Sequence, residues 1–107
     1  MADLDFDLTT ARDDQGGVRL ALRGELDLGS AGQLERALEQ AGAAVLLDLR
    51  GLTFMDSTGV RVLLEAAERA PAEGRTLRIV PPADGDARVT IEETGIAELL
   101  PLVEERA

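Results

Sequence analysis

The apolar positions of the chain change period several times, and each change marks an element. From Asp3 to Arg12 they alternate, with Leu4, Phe6, Leu8 and then Thr10 on one side, as in a half-buried strand. Asp13-Asp14-Gln15-Gly16-Gly17 is turn chemistry, and Val18 to Arg23 alternates again, with Val18, Leu20 and Leu22 opposite Arg19 and Arg23. Two alternating runs about a short glycine-rich turn predict a β-hairpin. The period then lengthens. Leu34, Ala37, Leu38 and Ala41 share one helical face. Ser30 and Gln33 stand at capping-box spacing before them, so the helix is expected to start at Ser30 and to stop at Gly42.

Val45 to Leu49 is an apolar run broken only by Asp48, which predicts a central strand covered on both faces. Asp48 is expected at a sheet edge or bonded to neighbouring backbone. A turn carrying Phe54-Met55-Asp56-Ser57-Thr58-Gly59 leads into a second helix. There Val60, Leu63, Leu64 and Ala67 keep the i, i+3, i+4, i+7 spacing, Val62 and Ala66 widen the stripe, and Pro71 and Gly74 mark the end. Thr76 to Val80 reads as a strand closed by Pro81-Pro82. Asp84-Gly85-Asp86 opens a third helix to Thr94, with Gly95 as its C-cap. Ile96 to Val103, broken by Pro101, fits a helical turn or a short strand equally. The order β-β-α-β-α-β-α predicts an α/β fold: one domain over residues 1–107, with helices packed on a mixed, mostly parallel sheet.

Composition narrows the chemistry. Hydrophobic residues make up 45% of the 107, with two Phe and no Trp or Tyr, so the core is aliphatic. The formal net charge is −10, from 21 acidic and 11 basic residues. That opposes binding to nucleic acid or to an anionic membrane, disfavours an acidic protein partner and favours one with a basic face. Cys, His and Lys are absent, so the chain alone offers no thiolate, no Ser-His-Asp triad, no P-loop lysine, no Schiff base and no His-ligated zinc. The N-terminal stretch MADLDFDL lacks the apolar core of a signal peptide, and no apolar run approaches the ~20 residues of a membrane span. A soluble, cytoplasmic protein with no cofactor and no metal is the expectation.

In open α/β sheets, functional groups gather where strands end and helices begin. Asp27 follows the second strand and Asp56-Ser57 precede the second helix, so both are expected on one edge of the sheet. Four readings of this junction compete. Asp-Ser-Thr-Gly is good N-cap chemistry, with Asp56 or Ser57 capping and Gly59 letting another chain approach the turn closely. A nucleophilic Ser57 lacks any base stronger than a carboxylate. A magnesium site of Asp27, Asp48 and Asp56 lacks the accompanying Lys. The last reading is a phosphorylation switch at Ser57, where added charge beside Asp56 would spoil a docked partner while sparing the fold.

Gly24-Glu25-Leu26-Asp27, followed by Leu47-Asp48-Leu49-Arg50-Gly51-Leu52-Thr53-Phe54-Met55-Asp56-Ser57-Thr58-Gly59-Val60, resembles the STAS domain of bacterial anti-sigma factor antagonists. The similarity runs from about Val18 to Leu100 and includes Thr94-Gly95-Ile96. The resemblance implies a non-enzymatic partner switch. The antagonist binds an anti-sigma factor that is itself a GHKL-type serine kinase, and so frees a sigma factor. The kinase, supplying ATP and magnesium, phosphorylates the serine at Ser57 and the complex dissociates; a metal-dependent phosphatase of the PP2C type restores it. Asp27, Asp56, Thr58 and Gly59 fall in the implied binding surface. Thr90 and Glu93 depart from the family, which often carries apolar residues there, so the third helix is expected to have few anchors. The use of Arg throughout, never Lys, looks like genomic composition. The rival from another class is a STAS scaffold in a transporter or lipid-transport assembly, without the phosphorylation switch.

Overall fold

The computed structural model describes residues 5–104. Strand β1 spans Phe6–Arg12 and pairs antiparallel with β2, Val18–Leu26, closing the expected hairpin. The expected start of β1 at Asp3 and Leu4 lies outside the described residues. Helix α1 spans Ala31–Gln40, β3 spans Ala44–Met55, α2 spans Ser57–Ala72, β4 spans Thr76–Val80 and α3 spans Gly85–Thr94. The sheet order is β1-β2-β3-β4, with β2-β3 and β3-β4 parallel. This is the mixed α/β sheet that the element order predicts.

Alternation sorts the strands into two faces. Val18, Leu20 and Leu22 of β2, Leu47 and Leu49 of β3, and Ile79 of β4 form one apolar core with Leu34 of α1, Val62 and Leu63 of α2, and Ala87 and Ile91 of α3. The core is aliphatic, as the near-absence of aromatics requires; Phe6 is its one aromatic member. Gly95, at φ 77°, is the left-handed C-cap of α3.

Two boundaries differ from the sequence reading. The strands β2 and β3 run on to Leu26 and Met55, beyond the expected ends at Arg23 and Leu49. Their pairing shifts register twice, between Ala21 and Arg23 and between Gly24 and Glu25. Each bulge breaks the period-two signal while Leu52 and Met55 stay buried. Gly24 takes φ 93°, and a Cβ there would collide with the Asp5 carbonyl, which accepts a hydrogen bond from Glu25 N at 2.6 Å. The segment from Ile96 realises both expectations: a 3-10 turn spans Ile96–Leu99, and Leu102 then bridges to Ile79 of β4.

Asp48 meets the second of its two expectations, a bond to neighbouring backbone, and not the first. It lies mid-strand in the interior strand β3, only 7% exposed, and not at a sheet edge. Its carboxylate accepts from Arg19 at 2.8 Å, from Arg50 Nη2 and Nε at 3.0 Å each, and from Arg50 backbone N at 3.0 Å. Burial pushes its pKa up, but the bonds from Arg50 and then Arg19 outweigh that and hold it below 3.8.

Candidate functional site

The junction is built from two adjoining strand ends. Leu26, the last residue of β2, pairs with Met55, the last of β3, and Asp56 N donates to the Leu26 carbonyl at 3.2 Å. The residues that follow, Asp27 on one side and Asp56-Ser57 on the other, therefore leave the sheet at neighbouring points on one edge. Asp56, not Ser57, is the N-cap of α2. Its Oδ1 accepts from Thr58 N at 2.9 Å and Gly59 N at 3.1 Å, satisfying two of the donors left open at a helix start. Ser57 is thereby the first helical residue. It is exposed, and its hydroxyl makes no hydrogen bond with any described residue.

Gly59 is buried, and the chain that comes close to it is the protein's own. A Cβ there would lie 2.6 Å from Met55 Cγ and 2.8 Å from the Leu26 carbonyl oxygen. The glycine lets the first turn of α2 rest directly on the ends of β2 and β3. Thr58 is half-buried beside it.

The Asp27 loop is held by a residue that the capping-box reading misassigned. Ser30 precedes α1 and is fully buried, yet its side chain makes no cap bond to the helix. Its hydroxyl accepts from Asp27 N at 3.0 Å and donates to the Glu25 carbonyl at 2.9 Å, tying the loop back to β2. Asp27 Oδ1 accepts from Gly29 N at 3.0 Å and Ser30 N at 3.2 Å. The aspartate shapes its own turn, and the turn holds Leu28 out in solvent at 78% exposure. The Asp-x-x-Ser spacing was the signal for this closed loop.

Asp48 does not join this edge. It sits eight residues before Asp56 along extended chain, on the order of 25 Å at ~3.3 Å per residue, so no single ion could bind both. Among the described residues no cluster of acidic side chains could hold a metal. Thr90, expected to leave α3 poorly anchored, is half-buried and donates to the Met55 carbonyl at 3.5 Å, fastening α3 to the end of β3. Glu93 is exposed. No helix among the described residues is long and apolar enough to cross a membrane.

The sequence model of the family described as "Mlab, STAS domain" matches residues 9–103. No curated protein matches. Among solved structures, an anti-sigma factor antagonist from Mycobacterium paratuberculosis is similar over 98% of this chain and 92% of its own, at 24% identity and a TM-score of 0.71. The anti-sigma factor antagonist SpoIIAA in its unphosphorylated form covers 94% of this chain and 90% of its own, at 20% identity and a TM-score of 0.68. The Bacillus cell fate determinant SpoIIAA in its phosphorylated form gives 94% and 92%, 21% identity and a TM-score of 0.67. At these identities the structures establish a shared fold, while the family match spans nearly the whole chain: this protein is a member of the STAS-domain family.

Proposed function

We propose that the protein is an anti-sigma factor antagonist that binds an anti-sigma factor serine kinase and is released from it by phosphorylation of Ser57. The observation that carries the reading is the placement of Ser57: exposed, without a hydrogen bond to any described residue and first in α2, on an edge shared with Asp27. A kinase can reach that hydroxyl without unfolding anything. It transfers the γ-phosphoryl group of its own ATP to Ser57 Oγ, the hydroxyl proton leaves and ADP is released, so this chain contributes no cofactor and no catalytic base. The existence of SpoIIAA, a protein of the same fold, in unphosphorylated and phosphorylated forms supports the assignment.

The switch follows from charge. Phosphate adds roughly −1.5 to −2 charges beside Asp56 and near Asp27. The helix dipole favours an anion there by about 0.3–1 kcal/mol, so the fold is not threatened. A docked partner meets desolvated like charge instead, and a loss of about 2.8 kcal/mol weakens a complex 100-fold. Asp27, Asp56 and Thr58 contribute to the docking edge, with buried Gly59 setting its shape. A PP2C-type phosphatase would reset the switch.

Incubation with the cognate kinase and ATP, followed by peptide mass spectrometry, should place phosphate on Ser57, and Ser57→Ala should abolish it. Label found only elsewhere would end the assignment. Ser57→Asp should keep its circular dichroism and lose partner binding. The alternative, a STAS scaffold in a transporter or lipid-transport assembly, shares the family membership. Recovery of a transporter ATPase in place of a GHKL-type kinase from native cells, with Ser57 unmodified, would decide for it.

A further inference from the structure

Single exposed leucines and valines are ordinary on a protein surface; several about one point are not. Among the described residues, the large hydrophobic side chains left exposed are Leu28, Phe54, Val89 and Leu99. The first three lie around the strand ends that carry Ser57. Leu28 follows Leu26 by two residues, and Phe54 immediately precedes Met55, which pairs with Leu26. Val89 immediately precedes Thr90, whose hydroxyl meets the Met55 carbonyl at 3.5 Å. A Cβ on Gly85 of the same helix would lie 3.8 Å from the Thr53 carbonyl oxygen, so α3 runs along the end of β3. Val89 is on the side of α3 away from buried Ala87 and Ile91. Leu99 lies elsewhere, in the turn leading to the bridge between Leu102 and Ile79. Leu28 is also held firmly, because the buried Ser30 hydroxyl ties its loop back to β2. A leucine fixed in this way loses little freedom when it is covered.

We propose that Leu28, Phe54 and Val89 are the apolar anchors of the Ser57 edge, and that the partner meets them with an apolar cleft rimmed by basic side chains. The inference rests on the functional reading above and supplies the chemistry of its partner. A few apolar residues at the centre of an interface carry most of its affinity, and these three are the ones this edge offers. The basic rim follows from charge. Asp27 and Asp56 belong to the same edge, and Asp86 is exposed in the first turn of α3. Arg61 of α2 and Arg88 of α3 do not offset them. Each is paired with a glutamate of its own helix, Glu65 at 3.1 Å and Glu92 at 3.2 Å. The edge is therefore acidic, and the total charge of −10 draws a basic rim toward it at range. A second copy of this chain is a poorer occupant, because two acidic edges would face each other. The arrangement also accounts for a sharp switch: a phosphate on Ser57 lies among residues that the cleft must cover and dry.

The test uses the full chain and the serine kinase that labels Ser57, with ADP in place of ATP so that no phosphoryl group moves. By calorimetry, Leu28→Ser should weaken binding about 30-fold and Val89→Ser about 3- to 10-fold. Leu99→Ser removes an exposed leucine away from the edge and should bind like the parent. All three should keep the parent's melting temperature, because each side chain is exposed. Phe54 is the least exposed of the anchors, so its removal would also cost packing, and it is left unaltered. Raising salt from about 50 to about 300 mM should slow association of the parent and of Leu28→Ser alike, while Leu28→Ser itself acts mainly on dissociation. Four results would overturn the inference: Leu28→Ser binding like the parent, Leu99→Ser weakening as much as Leu28→Ser, association indifferent to salt, or a dimer of the free chain that Leu28→Ser dissolves. If no kinase labels Ser57, the functional reading fails and the inference with it. If a kinase labels Ser57 and binds every variant like the parent, that reading stands and the anchors alone are refuted.

Discussion

Replacing Gly59 by alanine tests how closely the first turn of α2 is seated on the strand ends. The new methyl would meet two kinds of neighbour. Met55 Cγ, at 2.6 Å, belongs to a flexible side chain and can yield. The Leu26 carbonyl oxygen, at 2.8 Å, is backbone and also accepts from Asp56 N, so moving it loosens the bond that joins the two strand ends. Overpacking of this kind costs about 1–3 kcal/mol, and weakening the hydrogen bond adds up to about 1. Alanine recovers about 1 kcal/mol of helix propensity. The net expectation is a destabilisation of about 1–2 kcal/mol, a fall in Tm of roughly 5–15 °C for a domain of this size. Gly32→Ala in α1 is the control, because the nearest atom there is the mobile Arg36 guanidinium at 3.5 Å. That variant should be neutral or more stable by up to about 1 kcal/mol. Chemical denaturation of both variants decides the matter. If Gly59→Ala is as stable as Gly32→Ala, the strand ends do not hold α2 as described.

Two further substitutions separate the loop from the sheet. Ser30→Ala removes a buried hydroxyl that serves Asp27 N and the Glu25 carbonyl, and should cost about 1–3 kcal/mol while speeding hydrogen exchange at Asp27 and Leu28; unaltered exchange would show that the loop is held by something else. Asp48→Asn should cost about 1–3 kcal/mol near pH 7, the lower end because Arg19 and Arg50 are about one-third exposed and can rehydrate. The folded pKa of Asp48 is depressed, so its contribution is complete above the ordinary value of 3.8 and disappears as pH falls through the lower folded value. The stability difference between parent and variant should therefore close in acid, and a constant difference from pH 7 to about pH 2 would count against the ion triad.

Residues legible in the sequence were those whose pattern survives locally. Val60, Leu63, Leu64 and Ala67 announced α2, and Gly95 announced the end of α3, because one helical face or one left-handed residue is a short-range property. The ends of β2 and β3 were hidden because the register shifts displace Leu52 and Met55 from strict alternation. Ser30 had the spacing of a capping box, but a hydroxyl that can reach either Gln33 or its own loop is assigned only by the tertiary position of Glu25. Asp48 looked out of place in an apolar run because one of its partners, Arg19, comes from another strand, and only that pairing shows why Arg50, two residues on, closes over it as well. A total charge of −10 says nothing of where the charges lie, and Arg19, Arg23, Arg50 and Arg78 gather on one face of the sheet.

The spatial order of the strands, β1-β2-β3-β4, is also their order along the chain. Each strand therefore finds its sheet partner in the strand made just before it. The hairpin needs only the loop of residues 13–17 to close, and each later strand returns through a single helix. Loop-closure entropy is met in small, successive instalments, which places this mixed sheet toward the faster end for its class. During synthesis the growing edge waits only for the next helix and strand to emerge. The segment from Ile96 to Val103, which joins Pro101 and Val103 to Ile79, then latches the free edge of β4 once that strand is in place.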